Sequence, residues 1–282
     1  MAKIHLFETR RIPDVERLRG LSVERLSPLV RTGRWRRTMP HAEPFANLIW
    51  LARGQGRIVI RGGAVGYGPG TLAVIPARTP FALRYGTVTE GTLVRWPDLL
   101  EAPLPQSPLR IRLSDIGAQG ELSGLLERLA QAGDLNDPPS GRAALGRLIL
   151  LSALVERHAE KGETLAAKGE AAERAGRFAD AIEATLAHGA PQESVIARAG
   201  GTMAQIDASL DAACGLRAET YRTERVMHEA RRRLADTRSG LQAIAHDLSF
   251  PSAKALDDAL RAAGGCDAAT FREREGRGQT RI

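Results

Sequence analysis

Cysteine is scarce in this chain: Cys214 and Cys266 are the only two in 282 residues. Neither forms a Cys-x-x-Cys pair with histidine partners, so the usual zinc spacings are excluded and a reducing cytoplasm is the expected setting. Long apolar runs are missing as well. The best candidate, Leu148 to Val155, falls far short of the roughly 20 residues a membrane helix needs. The first residues, Met1-Ala-Lys-Ile-His-Leu-Phe-Glu8, lack an apolar core before a small-residue cleavage site, so no secretory leader is expected. Aromatics make up only 4%. Lysine is rarer still, with four against 36 arginines. A GC-rich genome alone can produce that bias. The net charge of +7 and pI of about 10.1 also suit phosphate backbones or anionic membranes. There is no P-loop, no dinucleotide fingerprint and no paired-carboxylate pattern. His5, His158, His188, His228 and His246 are scattered, without nucleophile spacing around them. An enzyme and a bound cofactor are therefore not expected.

What is present divides the chain in two. All three tryptophans (Trp35, Trp50, Trp96) lie in the first hundred residues, with Tyr67 and Tyr85. The remainder is rich in Ala, Leu, Arg and Glu. Aromatic and β-branched residues favour strands, and the second set favours helices. Alternating runs at 57–61, 71–75, 81–85 and 92–96 predict strands. Turns are predicted at Arg53-Gly-Gln-Gly56, Gly62-Gly63, Gly66 to Gly70 and Pro76 to Pro80, which together suggest a small barrel or sandwich. A Pro-rich stretch from Glu101 to Pro108 closes the region.

Helical spacing follows. Leu122, Leu125, Leu126 and Leu129 share a face. After Asn136-Asp-Pro-Pro-Ser140, so do Leu145, Leu148, Ile149, Leu151, Ser152 and Val155. Lys161 to Gly176 reads as a linker. Two similar units come next. The first has a short helix at 191–199, a Gly200-Gly201 turn and a second helix at 202–213. A long helix spans about 217–235. The second unit has a short helix at 241–248, a Ser249-Phe-Pro251 turn and a second helix at 252–263. Gly215 and Gly265 end the second helices. Short helix, tight turn, second helix is the helix-turn-helix plan, and its repetition strengthens the assignment.

Residues Arg225 to Thr237, followed by Leu241-Gln-Ala-Ile-Ala-His-Asp-Leu-Ser-Phe250, resemble the linker helix and second unit of the AraC/XylS-type transcription regulators. Arg225, Ala230, Leu234, Ile244, Ala245 and Phe250 match. Gly215 with Tyr221, and Gly265 with Phe271, keep the family's Gly and aromatic. His41, Leu48-Ile-Trp50, Gly54-Gln-Gly56, Gly68-Pro-Gly70, Ile75-Pro76 and Pro80 resemble its cupin sensing domain. The resemblance implies an α+β multidomain chain: a cupin-like β-barrel over 1–105, a helical connector over 106–170, and a tandem helix-turn-helix DNA-binding domain over 171–282. It implies double-stranded DNA as a partner, a small-molecule effector, and a homodimer seam in the connector, where the alternative is packing onto the barrel.

The recognition helices depart from the family pattern. Asp207-Ala208-Ser209-Leu210 with Asp211, and Asp257-Asp258-Ala259-Leu260 with Arg261, replace an arginine-centred pattern. Acids thus stand where phosphate contacts are expected, and neutralising phosphates supplies much of DNA affinity. The alternative is a degenerate family member that has lost DNA binding and regulates through protein contact. The exposed first turns of the second helices are the candidates for base contact: Thr202, Ala204, Gln205 and Ala208, then Ser252, Ala253 and Lys254. Gln205 suits adenine and Lys254 guanine. Candidate phosphate contacts are Arg222, Arg225, Arg232, Arg261, Arg272 and Arg274, with Arg225 equally suited to an internal salt bridge. Trp35, His41, Trp50, Tyr85, Arg95 and Trp96 are candidates for an effector pocket, against the alternative of plain barrel core. Metal is not expected. His41-Ala-Glu43 offers one imidazole and one carboxylate, and the later position holds Phe81.

Overall fold

The computed structural model describes residues 18, 20–27, 35–60, 63–99, 102–135, 137–165, 169–186 and 192–279. Residues Met1 to Glu8, His188, Glu101, Asn136, Pro191 and parts of the Gly62-Gly63 turn and of the 161–176 linker lie outside them.

The first half is one antiparallel sheet. Its strands are β1 (Ser22–Arg25), β2 (Ala46–Ile60), β3 (Gly63–Tyr67), β4 (Thr71–Ile75), β5 (Phe81–Trp96), β6 (Leu109–Arg112) and β7 (Glu163–Thr164). Their order is β1-β5-β2-β4-β6-β7, with β3 added to the far end of β2. Strand β1 does not pair with β7, so among the described residues the sheet is cupin-like but stays open instead of closing into the expected barrel.

Strands β2 and β5 are each far longer than the predicted runs. The expected turn at Arg53-Gly-Gln-Gly56 is instead a stretch of continuous strand with two register shifts against β5, an extra residue in β2 between Leu51 and Arg53 and extra residues in β5 opposite Gly54 and Gly56. Gly54 has φ +94°, and a Cβ there would meet the Val88 carbonyl at 2.0 Å. Gly56 is equally close to the Arg84 carbonyl, at 2.1 Å. These glycines are thus explained by close backbone approach within a continuing strand.

The bulges also set what each face covers. Before them, Leu48 and Trp50 point to one core and Ile49 and Leu51 to the opposite one. After them the alternation is inverted, as a one-residue slip requires. Ile58 and Ile60 join Ile49 and Leu51, and Val59 turns to the opposite face, where it is buried in a third core.

Two connector helices, α1 being the short turn at Trp35–Thr38, cover the Trp50 side. They are α2 (Ile116–Ala130) and α3 (Pro138–Ala159). Asp115 and Asp137 cap their N-termini. Leu122, Leu125, Leu126, Leu129, Leu148, Leu151 and Val155 are buried there with Trp50 and Trp96. Ile149 and Leu150 are 40% and 55% exposed on the outer side of α3.

The last part is helical: α4 (Glu170–Thr185), α5 (Gln192–Ala199), α6 (Met203–Cys214), α7 (Ala218–Asp236), α8 (Leu241–Asp247), α9 (Ala253–Gly264) and α10 (Ala268–Gln279). Helix α4 begins inside the expected linker, and α10 follows the second unit where the sequence predicts no element. The two units form separate cores. The first unit's core gathers Phe178, Ile182, Ile206 and Leu210, and shares Met39, Val59 and Ala82 with the sheet side. The second unit's core gathers Leu234, Ile244, Leu256 and Leu260. The turn of the second unit places Ser249 at φ +61°, a left-handed conformation that glycine adopts at lower cost.

Candidate nucleic-acid interface

The repeat is visible atom by atom. Asp207 and Asp257 stand 50 positions apart in the chain. Asp207 Oδ1 accepts the Ala218 N–H at 2.8 Å, and Asp257 Oδ1 accepts the Ala268 N–H at 2.8 Å. Each carboxylate therefore caps the helix that follows its own second helix, where free N–H groups and the helix dipole favour a negative charge. The Ala218 N–H, assisted by Arg217, holds the Asp207 carboxyl below its ordinary value. Gly215 and Gly265 close α6 and α9 at φ 68° and 70°. Tyr221 and Phe271 sit at matching places in the two cores.

This corrects the expectation that Asp257 faces phosphate, because its carboxylate is engaged in a cap. Asp257→Ala should cost about 0.5–2 kcal/mol of stability. Denaturant unfolding of the variant beside the parent chain checks this, and an unchanged midpoint would remove the capping role. Asp258 is 57% exposed and pairs only loosely with Lys254, at 4.0 Å.

The candidate base-contact residues divide by what already holds them. Thr202 and Gln205 form a reciprocal capping box on α6. Thr202 N–H donates to Gln205 Oε1 at 2.9 Å, and Gln205 N–H donates to Thr202 Oγ1 at 3.3 Å. Ser252 caps α9 through the Ala255 N–H at 3.1 Å. Lys254 is 89% exposed on the first turn of α9.

The candidate phosphate contacts divide in the same way. Arg272 donates to the Leu234 carbonyl at 3.1 Å and the Ser239 carbonyl at 2.6 Å, tying α10 to the end of α7. Arg261 pairs with Asp257 at 2.9 Å and Asp267 at 3.6 Å. Arg274 lies near Cys266, its guanidinium 3.8 Å from the sulfur. Arg222 lines a cleft between the units. Arg198 and Arg238, exposed at the end of α5 and just beyond α7, were not singled out by the sequence. Arginine spread evenly along the chain gave no signal that separated them.

Arg225 is only 3% exposed. Its guanidinium forks onto Glu183 of α4, with Nη2 at 2.9 Å from Oε2, and approaches Glu229 at 3.5 Å. It takes the salt-bridge role left open beside phosphate contact. Glu229 in turn accepts from Arg232 at 2.7 Å and Arg233 at 3.0 Å, and Arg233 reaches Asp247 of α8 at 2.7 Å. Helix α7 thus ties both units together through charges.

Burial alone would raise the Glu229 carboxyl. The hydrogen bonds and charges of Arg232, Arg225 and Arg233 outweigh it and bring the value from 4.5 down to about 2. A carboxylate lowered in this way stabilises the fold above its unfolded value, and the contribution is lost as pH falls from about 4.5 through about 2. Wild type should exceed Glu229→Gln in stability by about 3 kcal/mol near neutrality, the gap closing across that acid window. Urea melts of both proteins at stepped pH measure it, and a pH-independent gap would contradict the assignment.

The candidate effector residues do not line one cavity. Trp50 and Trp96 are buried under the connector helices, where Trp50 Nε1–H donates to Ser123 Oγ at 3.2 Å and Trp96 Nε1–H to the Ala102 carbonyl at 3.0 Å. Tyr85 lies in the opposite core with Phe81 and Leu83. Trp35, His41 and Arg95 gather where the sheet meets α7. The His41 ring is 4.4 Å from that of His228, and Trp35 packs against His228 at 5.7 Å and Phe271 at 5.3 Å. Trp35 Nε1–H also donates to Glu275 at 3.2 Å. Glu43 lies 3.4 Å from His41 and 3.6 Å from Arg95. Among the described residues no group of three or more His, Cys, Asp or Glu side chains is arranged to hold a metal ion. Nor is any described helix long and apolar enough to cross a membrane.

The sheet also holds the first unit directly. The Arg84 guanidinium donates to the Cys214 carbonyl at the end of α6. Ala82, two residues before Arg84 in β5, packs in the same core as Leu210.

In comparisons with known proteins, no curated protein matches the sequence. Several solved structures align with much of its length. ToxT from Vibrio cholerae O395 bound to (E)-4-(8-methylnaphthalen-1-yl)but-3-enoic acid superposes with a TM-score of 0.42 at 8% identity, covering 90% of this chain and 98% of its own. Wild-type ToxT from strain SCE256 with an unsaturated fatty acid bound gives 0.40 at 10% identity, over 89% and 94%. The AraC-like transcriptional activator CuxR gives 0.27 at 14% identity, over 74% and 77%. The profile of the AraC-binding-like domain matches residues 15–210, which span the sheet, the connector helices and the first unit to the middle of α6. The chain belongs to the AraC-binding-like family and is an AraC-type regulator.

Proposed function

We propose that this regulator binds double-stranded DNA through the first turns of α6 and α9 and controls transcription in response to a small effector. The observation that supports it is the repeat: two helix-turn-helix units on one bridging helix, with Ala204, Ala208, Lys254 and Asp258 exposed along their second helices. Two such helices held by α7 would enter successive major-groove segments about one turn apart, roughly 34 Å. The effector acts through the sheet. Val59, Ala82 and Arg84 hold α6, so a ligand that shifts β2 against β5 biases the placement of the first unit. Exposed Ile149 and Leu150 on α3 suit a homodimer seam. The protein acts in the cytoplasm and performs no catalysis.

The test is binding of the purified chain to its own upstream DNA across a salt series. A specific complex whose affinity falls steeply with salt supports the reading. Asp258→Arg should strengthen binding to any duplex and steepen the salt slope by about 1. Absence of a specific complex at low salt, with and without cell extract as an effector source, sinks it. That outcome would favour regulation through protein contact, which Asp211 and Asp258 at the surface of the second helices would suit.

A further inference from the structure

A cleft of about 680 Å³ lies between the two units. The first unit supplies Phe178, Ile182 and Met203, and the second supplies Phe250 and Ala259, with Arg222 of α7 among the lining residues. The cores on either side share no residue. The cleft is thus a seam between two packed bodies and not a defect within one. Packing voids inside a core are rarely larger than a water molecule. A hydrocarbon-lined space of this size holds water against apolar walls and favours an occupant of matching polarity. Its volume falls in the range of small-molecule sites, about 300–1,000 Å³, and such sites favour boundaries between packed bodies. Methionines at 203 and 227 give its walls adaptable side chains.

The polar groups are concentrated on one wall. Glu219, Arg222 and Thr223 all belong to α7. Arg222 is half-buried, whereas Glu219 and Thr223 are exposed. A guanidinium recessed beside hydrocarbon presents a planar fork suited to a carboxylate or sulfonate.

We propose that this cleft is a ligand site of its own, separate from the sheet, and that it takes a small organic anion with a hydrocarbon body. The body lies between Phe178, Ile182 and Phe250, and the charged end meets Arg222. A bound molecule bridges the two units and fixes their spacing. The consequence for DNA rests on the function proposed above, but the binding itself does not.

The test uses the full chain and two fluorescent naphthalene probes. One is the anion 1-anilinonaphthalene-8-sulfonate and the other the neutral N-phenyl-1-naphthylamine. Both should give saturable enhancement with one site per chain. Ala259→Phe and Ala262→Phe each place a ring in the cleft and should weaken both probes at least tenfold. Ala262 is exposed, so its replacement leaves the fold intact, as circular dichroism and the melting temperature would verify. Arg222→Gln should weaken the sulfonate several-fold and leave the neutral probe within twofold. No saturable binding, or binding indifferent to both phenylalanine variants, overturns the site. Equal loss of both probes in Arg222→Gln overturns the preference for an anion. Probe binding without DNA binding would preserve this site and sink the proposed function.

Discussion

Arg225→Ala should lower the unfolding free energy by about 3–5 kcal/mol, because it takes the forked partner from the half-buried Glu183 and one of three guanidinium neighbours from buried Glu229. Arg225 is 3% exposed, Glu229 7% and Glu183 17%, so water replaces the guanidinium only in part. Arg225→Lys should recover only part of the loss. An ammonium group cannot span both oxygens of Glu183 as the planar fork does. Denaturant titration of the three proteins gives the numbers. If Arg225 were instead a phosphate contact, Arg225→Ala would leave stability nearly unchanged and make the salt dependence of DNA binding shallower. The two roles thus predict opposite pairs of results.

Trp50→Ala should also cost about 3–5 kcal/mol, the range for deleting a large buried aromatic. Trp50 is 3% exposed and sits among Leu48, Leu72, Leu122 and Leu126, with its ring N–H on Ser123. The alanine variant leaves a cavity. A loss below about 1 kcal/mol would mean that the side chain lines open space, as an effector-pocket residue does, and is not held in a core. The measurement therefore decides between the two roles the sequence left open for Trp50.

The helical half was legible because its signals are local. Thr202 and Ser252 before the second helices, through their hydroxyls, and Gly215 and Gly265 after them, through their backbone, mark boundaries by local chemistry. The 3.6-residue spacing of Leu122 to Leu129 places α2 without tertiary information. The sheet was less legible. Glycines at 54 and 56 have the same composition in a turn as in a bulged strand, and only the approach of Val88 and Arg84 from β5 distinguishes them. Helix α4 was hidden by its Ala-, Gly- and charge-rich sequence, since its apolar face becomes recognisable only once Phe178 and Ile182 meet α6. The partners of the charged residues were not legible at all. Asp257 looks like an obstacle to phosphate until Ala268 is seen above it. Arg225 and Arg272 have the same side chain as exposed Arg238, and only long-range contacts with Glu183, Leu234 and Ser239 separate them.

The inversion of side-chain alternation along β2 has a consequence for dissection of the molecule. Val59, together with Met39 and Ala82, completes an apolar layer whose other members belong to the first helix-turn-helix unit. That unit owns only part of its hydrophobic interior and borrows the remainder from the sheet. A fragment cut before α4 would carry this half-layer bare, and would be expected to aggregate or to pair with itself through that surface. Division at the boundary marked by composition in the sequence is thus expected to expose apolar surface on both pieces, which size-exclusion chromatography of the two fragments would test.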